Sequence, residues 1–238
     1  MLALESVTYR YAGAPRPALH ELSVTLGDGE VLGLVGPSEA GKTTLCLVAA
    51  GLAPRTVGGT LHGRLLLDGQ DATPLPMHRL VGRVGIAFAS PAAQLTGVAA
   101  TVYEEVAFGP MNLGLPRPEI LDRTGAALAA LRIEPLAERD PARLSGGQQQ
   151  LVAIAGLLAL RPGHLVLDEP TAQLDPAGTR LVADALAGLA AAGTSILIAE
   201  QKTDLLAAIC HRVLVIDAGR VVRDGPAAEV LADPTLEE

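Results

Sequence analysis

Several things are scarce in this chain of 238 residues. It has no tryptophan, and its aromatic side chains are Tyr9, Tyr11, Phe88, Tyr103 and Phe108. A core must therefore be built from Leu, Val, Ile and Ala, which supply most of the 49% hydrophobic residues. Two cysteines, Cys46 and Cys210, cannot form a disulfide framework. Lysine occurs only at Lys42 and Lys202, and 18 Lys and Arg against 26 Asp and Glu leave a net charge of −8. That balance provides no basic face and argues against nucleic acid as a partner. The longest apolar runs, residues 151–160 and 185–199, fall short of the ~18 to 20 residues that span a bilayer. The first residues lack a basic stretch followed by an apolar one, so a cytosolic location is expected. His20, His62, His78, His164 and His211 have no metal-ligand spacing, and no Ser/His/Asp arrangement stands out.

Short β-branched runs alternate with longer Ala/Leu-rich runs, the pattern of an α/β fold with parallel strands between helices. Strands are expected at 2–9, 23–26, 31–35, 61–67, 84–88, 165–167, 195–199 and 213–216, with a hairpin at Ala218 and Gly219. Between Pro91 and Ser145 the strand signal gives way to helical stretches near 101–108 and 118–131, punctuated by prolines 110, 116, 118, 135 and 141. The chain reads as one domain, 1–238, with a helical insert over roughly 91–158.

Three motifs carry chemistry. GPSEAGKTT comprises Gly36, Pro37, Ser38, Glu39, Ala40, Gly41, Lys42, Thr43 and Thr44; it follows the strand VLGLV and opens a helix. Its glycines let backbone N–H groups curl around a phosphate. The helix terminus adds its positive end, Lys42 reaches the β- and γ-phosphates of ATP, and the Thr43 hydroxyl suits Mg²⁺. HLVLDEP, 164–170, is an apolar strand ending in two carboxylates: Asp168 to hold Mg²⁺ and Glu169 to orient the attacking water. LSGGQQQ, 144–150, lies between them and opens a further helix with Ser145 at its N-cap.

In this order, with LDEPTAQLD downstream, the motifs resemble those of ATP-binding-cassette (ABC) ATPases over essentially the whole chain. The resemblance implies a P-loop NTPase fold (RecA-like α/β core) with an antiparallel β subdomain and an inserted α-helical subdomain. It implies ATP hydrolysis in a head-to-tail dimer of cassettes, where each ATP lies between one subunit's phosphate loop and the other's signature loop. Ser145, Gly146, Gly147 and Gln148 would then face the partner's γ-phosphate. Asp175 matches the loop that communicates across the dimer, and Tyr11 the aromatic that stacks on adenine. The stretch from Phe88 to Pro116 further resembles the ATPases of energy-coupling-factor importers for vitamins or for cobalt and nickel ions. There the helical insert docks on a transmembrane subunit, which would put this chain on the cytoplasmic face of the membrane, with Gln94, Glu104 and Glu105 in the contact region. A conventional importer or exporter cassette stays open: the chain ends soon after AAEVLADP, whereas energy-coupling-factor ATPases often continue into a dimerisation segment.

Three positions depart from the pattern. Glu39 stands where the phosphate loop usually has glycine, Ala89 replaces the glutamine expected after Phe88, and Gln201 takes the place of the switch histidine. All three belong to the phosphate-loop half-site, whereas Ser145, Gly146, Gly147, Asp168, Glu169 and Asp175 keep to the pattern. The asymmetry favours a chain that lends its signature loop to a different, intact cassette while its own site turns over slowly. A homodimer tolerant of these changes is the alternative.

Overall fold

The computed structural model of the chain describes residues 1–201 and 203–232; Lys202 lies outside them. Ten strands and seven α-helices occur among these residues. The strands are β1 (Leu2–Arg10), β2 (Leu19–Leu26), β3 (Val31–Val35), β4 (Thr60–Leu67), β5 (Gln70–Asp71), β6 (Val84–Ala87), β7 (His164–Asp168), β8 (Ser195–Ala199), β9 (Arg212–Asp217) and β10 (Arg220–Pro226). The helices are α1 (Lys42–Ala49), α2 (Val102–Asn112), α3 (Arg117–Ala130), α4 (Gly146–Leu160), α5 (Pro176–Ala191), α6 (Thr203–Ile209) and α7 (Ala227–Val230).

The chain divides into two compact units. The first comprises Met1–Ile86, Gly163–Asp168 and the residues from Leu189 on; the second comprises Ala87–Pro162 and Glu169–Gly188. Strand order is β2-β1-β4-β5 in an antiparallel sheet and β10-β9-β3-β8-β7-β6 in a larger one. In the larger sheet β9, β3, β8 and β7 run parallel, and β10 is antiparallel to β9. Every residue of β3, β7 and β8 is buried. This is why these strands read as uninterrupted apolar runs: a parallel strand covered on both faces has no polar side to alternate with. Ala218 and Gly219, both at positive φ, make the two-residue turn between β9 and β10. The core of the first unit is aliphatic, with Tyr9 the only aromatic among its largest fully buried side chains.

His164 opens β7 and ties the two sheets of the first unit together. Its backbone N–H donates to Arg83 O (3.0 Å), and its Nε2 lies 3.1 Å from Asp68 Oδ1 in the β4–β5 turn. Arg83 in turn donates to Leu67 O (2.9 Å) and Asp68 Oδ2 (3.1 Å). Burial pushes the His164 imidazole below its usual range against the opposing pull of Asp68.

In the second unit, α2 begins with a capping box. Thr101 Oγ1 accepts from Glu104 N (3.2 Å), and Glu104 Oε2 accepts from Thr101 N (3.2 Å). Pro110 does not end this helix but lies inside it. It removes only one hydrogen-bond donor near the C-terminus, where the helix has few turns left to lose.

Candidate functional site

The first unit gathers the phosphate-loop residues at the carboxyl ends of its parallel strands, the edge where open α/β sheets bind ligands. Leu34 on β3 is in register with Ala199 on β8, and Ala199 with Asp168 on β7, so the three form one row across the sheet. One or two residues beyond that row the chain turns into the loop at Gly36 and, on the next strand, into Glu200 and Gln201.

The loop's shape follows from its glycines. Gly36 has φ +149° and lies so close to Ile216 O that a Cβ would overlap it. Gly41, at φ +109°, is the N-cap of α1 and offers no capping side chain. The first N–H groups of α1 are thereby left for a ligand. Lys42 is only 8% exposed. Its Nζ donates to Gly36 O (2.6 Å) and Pro37 O (2.9 Å), which holds the ammonium across the mouth of the loop. Glu39 is exposed and adopts φ +64°, a left-handed conformation that glycine takes without strain. It is not among the residues that line the cavity beside Lys42.

The two threonines divide their tasks. Thr44 is buried and its Oγ1 lies 3.0 Å from the Tyr11 hydroxyl, whereas Thr43 is exposed on the first turn of α1. Tyr11 is half-buried and meets Tyr9 edge to face, ring centroids 4.9 Å apart. Asp168 is buried at the end of β7, and the charges of both Asp168 and Lys42 reach Cys46, whose thiol is pushed up first of all by burial and secondly by Asp168. A cavity of about 500 Å³ opens here, lined by Gly36, Pro37, Ser38, Lys42, Glu200 and Gln201 among others. Among the described residues no cluster of three or more His, Cys, Asp or Glu side chains suits a metal ion. The hydroxyl of Thr43 and the carboxylate of Asp168 are hard oxygen donors of the kind Mg²⁺ takes alongside phosphate oxygens.

The second unit carries the remaining candidates. Ser145 caps α4: its Oγ accepts from Gln148 N (3.3 Å) while Gln148 Oε1 accepts from Ser145 N (3.1 Å). Ser145 and Gly146 are exposed, so the N-terminus of α4 is presented outward. A Cβ on Gly147 would stand 3.1 Å from Gln173 O, which explains a small residue there. Asp175 Oδ1 accepts from Gly178 N (2.7 Å) and caps α5. Glu169, half-exposed, follows Asp168 at φ +51°.

Gln94 Nε2 donates to Phe88 O (3.1 Å), and so does Gln150 Nε2 from α4 (3.2 Å). The Gln94 amide thus fastens its own loop. Glu105 is likewise engaged, accepting from both N and Oγ1 of Thr96 at 2.7 Å. Glu104 accepts from Ala100 N (2.9 Å) as well as Thr101 N. Gln94, Glu104 and Glu105 thus each make hydrogen bonds within this unit, whose exposed large apolar side chains are Val98, Phe108, Met111, Leu113 and Leu121. Glu200 and Asp217, which line the cavity beside Lys42, were not among the residues expected from sequence; Glu200's place directly after an apolar strand was the available signal.

A model of the ABC transporter family matches residues 19–172. The cobalt import ATP-binding protein CbiO of Rhodobacter capsulatus is 44% identical over 98% of this chain and 81% of its own. The solved structure of cbiO1 from Clostridium perfringens, part of the ABC transporter complex cbiONQ, is 34% identical with a TM-score of 0.84, covering 98% of this chain and 90% of its own. A dimeric, post-hydrolysis structure of the ATP-binding cassette MJ0796 with ADP and Pi has a TM-score of 0.84 at 25% identity, over 95% of this chain and 99% of its own. The chain spans only 37 and 39% of the length of two curated Methanosarcina relatives that it matches at 42 and 40% identity. On the family model, the relatives and the shared cassette fold, the chain belongs to the ABC transporter family.

Proposed function

We propose that the chain is the ATP-binding and ATP-hydrolysing part of an ABC transporter of the energy-coupling-factor type, powering import from the cytoplasmic face of the membrane. The observation that carries this reading is Lys42 held across the loop mouth by Gly36 O and Pro37 O, at a cavity wide enough for a polyphosphate. The loop's N–H groups and Lys42 would bind the β- and γ-phosphates, and Tyr11 would carry adenine on its open face. Thr43 and Asp168 would hold Mg²⁺, which draws charge from the phosphate oxygens when bound. Glu169 would orient the attacking water and Gln201 would donate to the γ-phosphate. Ser145, Gly146, Gly147 and Gln148 would complete the site of a second cassette, with Asp175 in communication across the pair.

Cobalt import by a relative supports a metal ion or vitamin as cargo, chosen by a transmembrane partner. The exposed Phe108, Met111, Leu113 and Leu121 support docking of such a partner, since exposed large apolar side chains favour burial. Within this function, engagement of Gln94 with Phe88 O supports a slow phosphate-loop site paired with a different, intact cassette. The test is nucleotide binding and turnover together. Lys42→Ala is expected to weaken Mg·ATP binding by about a hundredfold, the loss of one strong charged contact. Glu169→Gln is expected to bind normally and to lose the turnover that the wild-type chain shows, alone or with a partner cassette. Unchanged ATP affinity in Lys42→Ala would remove the reading.

A further inference from the structure

The helices α1, α2 and α4 begin in two different ways. On α2 and α4 the N-cap side chain accepts from the N–H of the third helical residue, whose own side chain reaches back: Thr101 with Glu104, Ser145 with Gln148. On α1 the N-cap is Gly41, which has no side chain to offer. The third helical residue, Thr44, turns instead to another element. Its Oγ1 lies 3.0 Å from the hydroxyl of Tyr11, the residue that follows β1.

Tyr11 is itself held in place. Its ring meets that of Tyr9 edge to face, with centroids 4.9 Å apart. Tyr9 is fully buried and its hydroxyl donates to Gly58 O. Tyr11 O accepts from Ala14 N (3.1 Å) in the turn after β1. The bond to Thr44, which is 6% exposed, therefore ties the first turn of α1 to a fixed point outside the helix.

A brace of this kind differs from a cap in what it leaves free. A capping side chain occupies the N–H of the third helical residue, so a capped helix start cannot give that donor to a ligand. On α1 the first rung of the ladder is Leu45 N to Gly41 O (2.9 Å), and the N–H groups of Lys42, Thr43 and Thr44 precede it. The Tyr11 bond falls on the Thr44 side chain and spends none of them.

We infer that Tyr11 is a positioning residue for the phosphate end of the nucleotide: through Thr44 its hydroxyl braces the first turn of α1 while leaving that turn's N–H groups open. The inference rests on the nucleotide reading above. It gives the Tyr11 hydroxyl a task separate from that of the ring, so that the two parts of one side chain serve opposite ends of the ligand.

The experiment titrates the whole chain with TNP-ATP in Mg²⁺ and displaces it with ATP or with tripolyphosphate, which has phosphates and no base. Tyr11→Phe keeps the ring and loses the brace. It is expected to weaken ATP and tripolyphosphate by the same factor, about fivefold, the size of one capping interaction. Thr44→Val is expected to show an equal loss, and adding Tyr11→Phe to it should change affinity by less than about twofold. Thr44→Ser keeps a hydroxyl and should stay within about twofold of the wild-type chain. A bond that served only the fold would lower the thermal midpoint of Tyr11→Phe and leave both affinities unchanged, which overturns the inference. A loss confined to ATP overturns it too, as do factors that multiply in the double variant. So does a wild-type chain that binds ATP but does not yield TNP-ATP to tripolyphosphate, a reading independent of any variant's folding. A wild-type chain that binds neither ligand refutes the nucleotide reading itself.

Discussion

Glu39 holds a left-handed backbone conformation with its side chain in solvent, so it carries strain without any visible contact in return. A non-glycine residue there costs about 1 to 2 kcal/mol, while glycine would give back about 0.5 to 1 kcal/mol in unfolded-state freedom. Glu39→Gly is therefore expected to stabilise the chain by about 0.5 kcal/mol, seen as a rise of about 1 to 2 °C in the thermal midpoint. ATP affinity should change by no more than a few-fold, because an exposed carboxylate is screened. A fall in the midpoint on calorimetry would contradict this account. The loop itself was legible in the sequence, because glycines at 36 and 41 and lysine at 42 are dictated by backbone sterics and by phosphate. The left-handed backbone at Glu39 was not, since nothing in a glutamate calls for it. Nor could the sequence say that the Gln94 amide is spent on Phe88 O.

At the scale of elements, the segment from Phe88 to Thr101 is fastened to two helices by side chains of unequal worth. Glu105 on α2 is buried and accepts twice from Thr96; Gln150 on α4 is fully buried, donates once to Phe88 O, and leaves its own Oε1 without a partner. Hydrogen bonds to a charged acceptor stabilise by about 1.5 to 3 kcal/mol, whereas an amide that satisfies one group and orphans another contributes close to nothing. Glu105→Ala is accordingly expected to lose about 2 kcal/mol in urea unfolding and to speed hydrogen exchange at the Thr96 amide by at least about tenfold. Gln150→Leu should stay within about 1 kcal/mol of the parent, because Phe88 O keeps its bond from Gln94. The reverse ranking would refute the assignment. The elements themselves were unevenly legible. The central strands β3, β7 and β8 announced themselves as apolar runs because both faces are covered. β5, two residues long, and β10, largely exposed at the sheet edge, have too little buried surface to impose a pattern. α2 outran its expected end because Pro110 is tolerated in its last turns.

On the scale of the whole molecule, the residues proposed for one ATP site fall into two groups that a head-to-tail pair would draw from different chains. A chain pairing with itself obeys two-fold symmetry, so every phosphate loop would meet a signature loop of the same sequence. Mixing two single variants then separates self-pairing from pairing with another cassette. Lys42→Ala disables the phosphate loop, and Ser145→Arg blocks the exposed N-terminus of α4. In an equimolar mixture of self-pairing chains half of the dimers are mixed, and each mixed dimer holds one intact site of two. ATPase activity would recover to about a quarter of the wild-type rate if the sites act independently. Pairing with a different cassette predicts no recovery: the wild-type chain alone stays near background, and the mixture matches either variant. The three departures at Glu39, Ala89 and Gln201 all lie on the phosphate-loop side, and Gln94 is bound elsewhere, so the expected result is no recovery. A quarter of a substantial wild-type rate would instead assign both halves of the site to copies of this chain.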